Sequence, residues 1–183
     1  MKRFATRGSL RGPRAGFTLI ELAIATSILM IGLVSVLTAS SQMHSLGRLN
    51  RERTLAQNAV RSMAERMHAA SHGFAADPQT WAQGLLATYG AGGSFGNTFS
   101  IQGLTPVEDG ALVGSIVLAT NETQADAELD ADVGMPRDLN GDGDTTDTDV
   151  STSARILPVV LTVRWQGETG VHVMRHGFYL LGY

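Results

Sequence analysis

Gly16-Phe17-Thr18-Leu19-Ile20-Glu21, continuing as LAIATSILMIGLVSVLTA to residue 39, is the stretch on which the fold turns. From Phe17 to Ala39 the run is 23 residues long, and Glu21 is its one ionisable side chain. As a helix it rises about 34 Å at ~1.5 Å per residue, enough to cross the hydrocarbon of a bilayer. A carboxylate in such a helix costs on the order of 2.5–3.5 kcal/mol near the centre and less toward an end. An acid kept there therefore needs a partner.

Outward from this run the charge is divided. Every charged residue in 1–16 is basic: Lys2, Arg3, Arg7, Arg11 and Arg14. That asymmetry holds residues 1–16 in the cytoplasm and sends the remainder outward. The net charge of −3 resolves into this +5 head and a body of nine basic and 17 acidic residues, a balance of −8. With no Lys/Arg cluster outside the head, nucleic acid is not indicated as a partner. The chain has no cysteine, which excludes disulfides, thiol catalysis and cysteine-based zinc sites. Its 183 residues suit one ordinary domain with an appendage, and its 21 glycines suit a loop-rich domain.

Three readings of the amino terminus compete. A cleaved secretory signal fits the basic head, but the apolar run exceeds an h-region of about 7–15 residues, and Leu37-Thr38-Ala39 is a weak cleavage site. A plain membrane anchor explains hydrophobicity and orientation and leaves Glu21 unexplained. The third reading covers the junction too: Gly16, Phe17 and Glu21, fixed in spacing between a basic leader and an apolar run, closely resemble the processing site of type IV prepilins and type II secretion pseudopilins. The resemblance implies cleavage by a membrane peptidase after Gly16 and N-methylation of the new terminus, Phe17. It also implies that Glu21, fifth in the mature chain, neutralises the Phe17 amine of a neighbouring subunit. Two charges that are each costly in lipid then become one contact that sets axial register.

Past the membrane, Ser40 to His72 lacks proline and has Gly47 as its one interior breaker. Leu55, Ala59, Met63 and Met67, with Ala56 and Val60 beside them, form a stripe at four-residue spacing, while Arg48, Arg51, Glu52, Arg53, Arg61, Glu65 and Arg66 fill the rest. One helix from about Phe17 to His72 is predicted, apolar all round over 17–39 and amphipathic over 40–72, its stripe packed on a sheet. The remainder, 73–183, is predicted to be globular. Asp77-Pro78 starts a turn, Trp81 to Tyr89 forms a short helix, and Gly90 to Gly103 is a loop with five glycines. Thr98–Leu104 and Leu112–Ala119 are β-prone. Ile156–Trp165 and Val171–Leu181 flank Gln166–Gly170 as a carboxy-terminal hairpin, with Val159, Leu161, Val163 and Trp165 on one buried face and Thr162 and Arg164 on the other. The fold class is α+β: a long amino-terminal helix on a small antiparallel sheet, the pilin-like architecture that the resemblance also implies.

Residues 138–149 carry five aspartates and no basic side chain. Asp138, Asn140 and Asp142 alternate and Gly143 follows, matching the D-x-[DN]-x-[DN]-G calcium loop. Alternation lets three oxygens converge on one cation while the glycine turns. The Asp144 carbonyl, Thr146 directly or through water, and the twelfth residue Asp149 complete the candidate set. Asp149 is one methylene shorter than the usual glutamate. Calcium is expected as a structural cofactor, closing the loop as a disulfide would; many pilins close this region with a disulfide. The alternative is a solvated acidic turn.

His68 and His72 lie one helical turn apart, and His172 and His176 share a strand face, but no HExxH completes a zinc site. GxSxG, P-loop and GxGxxG motifs are absent from any strand–turn–helix context, so no catalytic residue is assigned and an enzyme is not expected. The resemblance implies a minor pilin of a type IV pilus. Its partners would be other pilin or pseudopilin subunits, prepilin peptidase, an inner-membrane assembly platform and, before assembly, membrane lipid. A minor pseudopilin of type II secretion is the alternative. From a different class, a non-polymerising, membrane-anchored, calcium-stabilised binding domain also fits.

Overall fold

The computed structural model describes residues 16–74, 80–124 and 127–182. Residues 1–15 of the basic leader and the Asp77-Pro78 turn lie outside the described residues. The chain divides into two compact units, Met1–His44 and Ser45–Tyr183. Helix α1, Leu19–Phe74, begins in the first and ends in the second.

In the first unit, Thr18 sets the start of α1. Its Oγ1 accepts the Glu21 backbone N–H at 3.3 Å and its carbonyl accepts the Leu22 N–H at 3.1 Å. Thr18-Leu19-Ile20-Glu21 thus reads as a capping-box sequence, which places the first helical residue at Leu19 rather than Phe17. Every residue from Gly16 to His44 is exposed, including leucines, isoleucines and valines along the whole run. α1 is the one helix among the described residues long and apolar enough to cross a membrane.

In the second unit, α1 packs by a stripe made of Ala56, Val60, Met63, Ala64, Met67 and Ser71. The sequence stripe at 55, 59, 63 and 67 is displaced at its start: Leu55 and Ala59 are only partly buried. Four residues turn a 3.6-residue helix through about 400°, so a strict four-residue row drifts around the barrel, and alternating steps of four and three hold the buried face. α2, Trp81–Tyr89, buries Trp81, Ala82, Leu85 and Tyr89. The Trp81 indole donates to Ser71 Oγ at 2.9 Å. The Trp165 indole donates to Glu52 Oε2 at 3.0 Å.

The sheet has order β1-β2-β3-β4, antiparallel throughout: β1 Thr98–Phe99, β2 Gly114–Leu118, β3 Ile156–Gly167 and β4 Gly170–Leu181. The carboxy-terminal hairpin forms as the alternation predicts, but pairing continues to Gly167↔Gly170, leaving Glu168-Thr169 as the loop. β1 is far shorter than 98–104, because the backbone turns at Gly103 (φ +92°) and the Leu104 N–H bonds back to Ile101 O at 3.2 Å. β2 starts at Gly114, two residues after Leu112.

One prediction about β3 is corrected. Its odd-numbered face is buried from Leu157 to Trp165, yet Pro158 and Val160 on the other face are buried too. The cause is a helix the sequence reading did not identify, α3, Ala127–Val133. Tyr179 and Gly177, cross-strand partners of Pro158 and Val160, meet it directly: the Tyr179 hydroxyl donates to Val133 O at 2.9 Å, and a Cβ on Gly177 would lie 2.5 Å from Asp132 O. The sheet is therefore covered by α1 on one face and by α3 over part of the other. Gly177→Ala should push α3 off and cost about 1–3 kcal/mol. Thermal unfolding checks this; an unchanged melting temperature would show that α3 has room to shift.

Candidate functional site

The amino-terminal junction comes first. Gly16 takes no left-handed φ, and a Cβ added there would meet nothing within 4 Å. Among the described residues nothing requires glycine at that position. Phe17 is 81% exposed. Along the apolar run the polar side chains are satisfied inside the helix: Thr26 donates to Leu22 O, Ser27 to Ala23 O, Ser35 to Ile31 O and Thr38 to Val34 O, at 2.8–3.0 Å. This is how hydroxyls are accommodated in hydrocarbon. The Glu21 carboxylate has no partner among the described residues, although its place in the first turn sets it at the positive end of the helix dipole.

Residues 11–37 match the family model described as the prokaryotic N-terminal methylation motif. The chain carries the signal of type IV prepilins and pseudopilins. With it come, in general terms, processing by a prepilin peptidase and contact with other pilin-type subunits, and the signal speaks for a structural subunit rather than an enzyme. The exposed apolar helix behind the signal is consistent with membrane anchoring. No curated protein and no solved structure matches the chain.

The acidic loop lies in the connection between β2 and β3. Leu139 and Val150 are fully buried and anchor it. Its two ends are tied to the strands: Val150 N–H to Thr120 O at 2.9 Å, and Arg155 and Ile156 N–H to Leu139 O at 2.8 and 3.0 Å. Within the loop, Asp138 accepts Gly141 N–H at 2.6 Å and Gly143 N–H at 2.9 Å through its two oxygens. Gly141 and Gly143 both take positive φ, +82° and +100°, which turns their amides inward. Asn140 Oδ1 accepts Asp142 N–H, while its Nδ2 donates to Asp142 Oδ2 at 3.1 Å and Asp147 Oδ2 at 2.8 Å.

Of the six candidate ligands, the structure thus brings Asn140 and Asp142 together, with Asp138 folded around the glycine amides. Asp144 Oδ1 accepts both the N–H and the hydroxyl of Thr146 at 2.8 Å. Asp149 Oδ1 accepts Ser151 N–H at 2.9 Å. Asp147, which the twelve-residue pattern passes over, is the acid beside Asn140. Glu122, outside the pattern altogether, is 0% exposed, and its Oε1 accepts Leu139 N–H at 2.6 Å and Asn140 N–H at 3.2 Å. An isolated Asn-Glu-Thr gives no sequence signal; only burial reveals it. As they stand, no three His, Asp or Glu side chains among the described residues are arranged to hold a metal. Of the histidines, His68 lies tilted against Phe178 with ring centroids 5.2 Å apart, and His172 Nε2 meets Thr169 Oγ1 at 3.2 Å.

The Gly141 amide, helped by those of Gly143, Asp142 and Asn140 and opposed by desolvation, holds the Asp138 carboxyl below its ordinary 3.8. The Thr146 amide and hydroxyl do the same for Asp144, against desolvation and the charge of Asp138. A depressed folded-state value means that the contribution is complete above 3.8 and is lost as pH falls through the lowered value. In chelator, the Gly141 and Gly143 amide resonances should therefore titrate with a midpoint below 3.8, and Asp138→Asn should abolish that step. A midpoint at or above 3.8 would show that these amides do not hold the carboxylate.

Proposed function

We propose that this chain is a structural subunit of a type IV pilus-like filament, a minor pilin, processed after Gly16 and methylated on Phe17. It waits in the inner membrane with its second unit outside the cytoplasm, and an assembly platform draws it into the filament. The observation that carries the reading is Glu21. In the apolar run 17–39, where Thr26, Ser27, Ser35 and Thr38 bond their own backbone, the Glu21 carboxylate has no partner among the described residues. The amine that cleavage creates on Phe17 of a neighbouring subunit is the matching charge. That Gly16 answers no demand of the fold fits a demand made by a peptidase.

Glu21→Ala separates filament subunit from plain anchor. Breaking one side of a buried ion pair costs about 3–5 kcal/mol, which at ~1.4 kcal/mol per tenfold is over ~100-fold in subunit affinity. The variant should reach the membrane normally and be missing from sheared filaments. Wild-type abundance in those filaments would leave Glu21 only its role at the helix start. Mass spectrometry of the same filaments reads cleavage at Gly16 and methylation of Phe17, and co-purifying subunits distinguish a pilus from a type II secretion pseudopilus.

The acidic loop takes Ca²⁺ as a structural staple, in a chain with no cysteine to form a disulfide. Five aspartates in 138–149 repel one another unless a cation offsets them. The full chain in detergent micelles should melt at a higher temperature in millimolar calcium than in chelator. An unchanged melting temperature would make the loop a solvated turn.

A further inference from the structure

Glu122 is a buried carboxylate with one oxygen accounted for. Its Oε1 takes two backbone amides, Leu139 and Asn140, at the start of the acidic loop. Its own N–H donates to Asp147 O at 2.9 Å, on the loop's returning limb. The side chain is thus held between the two limbs. Its Oε2 is buried and has no hydrogen-bond partner among the described residues. Such an atom costs free energy unless something neutralises it. A bound cation supplies that neutralisation.

We infer that Glu122 is the ligand from outside the loop that completes its cation site, through Oε2, in the place of the twelfth-position acid. Three observations converge. Asp149 Oδ1 accepts the Ser151 N–H, and its side chain makes no hydrogen bond to Asn140 or Glu122 among the described residues. Asn140 joins the two parts, its backbone amide on Glu122 and its side chain on Asp142 and Asp147. And a glutamate, the residue that calcium loops of this pattern want last, is present 17 residues before Leu139 rather than at the loop's end. A ligand carried on the chain leaving β2 makes cation binding close the whole β2–β3 connection instead of the loop alone. A site with an added carboxylate favours the larger, more highly coordinated Ca²⁺ over Mg²⁺.

This inference rests on the calcium reading above, and calorimetric titration of the full chain in detergent micelles with CaCl₂ and MgCl₂ separates the two. The wild type should bind calcium and not magnesium. Glu122→Gln keeps the Oε1 acceptor and removes the charge; it should weaken calcium binding at least about tenfold, the loss of one charged ligand at ~1.4 kcal/mol. Asp149→Asn should stay within about threefold of wild type. Glu122→Asp, which keeps the charge but shortens the reach, should weaken calcium binding as well and serves if Glu122→Gln does not fold. Equal calcium affinity in wild type and either Glu122 variant would overturn the inference and leave the calcium site standing, with Glu122 as a brace for two amides. Loss of binding in Asp149→Asn but not in Glu122→Gln would return the site to the ordinary loop pattern. No calcium binding by the wild type would overturn both.

Discussion

Ala56, Val60, Met63, Ala64 and Met67 form one core cluster with Leu157, Val159, Leu161, Val163 and Trp165, and the second unit is organised around that seam. On the helix, small alanines and flexible methionines beside Val60 fill the space against the leucines, valines and tryptophan of the sheet. The seam also fixes register. Glu52 and Ser71, each bonded to a tryptophan indole, are about 28 Å apart along a helix rising ~1.5 Å per residue, so the packed segment is held near both ends. With one face of β3 committed to α1, the other becomes available to α3, and the long connection between β2 and β3 is gathered beside it.

The first part of α1 obeys a different rule. No core covers it, and its residues are apolar on every side. Its hydroxyls turn back on their own carbonyls, so it presents hydrocarbon to whatever surrounds it. The departure is Glu21, set just past the cap that Thr18 provides. An acid at a helix start is ordinary in water and expensive in lipid. That contrast, together with the methylation motif over residues 11–37, gives the junction its meaning.

Long periodic elements were legible in the sequence. α1 and the β3–β4 hairpin follow from a 3.6-residue and a two-residue repeat, and α2 begins and ends at the residues expected, Trp81 and Tyr89. What was not legible depends on contacts between distant segments. α3 spans only seven residues, and Leu129 and Val133, one turn apart and both buried, are its sole apolar cue beyond Ala127. The burial of Pro158 and Val160 follows from α3 and so was missed with it. At the acidic loop the spacing located Asp138, Asn140 and Asp142, because local turns follow local sequence. It could not show that Asp147 rather than Asp149 bonds Asn140, nor that Glu122 takes the Leu139 and Asn140 amides, since both depend on how the loop closes onto the chain that follows β2.

The chain has two tryptophans, and both are buried with their indole N–H groups bonded to α1. Its tryptophan emission therefore originates wholly beside the packed part of α1. Neither chromophore lies in the apolar amino-terminal run, so lipid or detergent around that run leaves the light unaltered. The protein carries its own optical gauge of whether the outer half of α1 is seated, readable in a membrane, a micelle or a filament without a label.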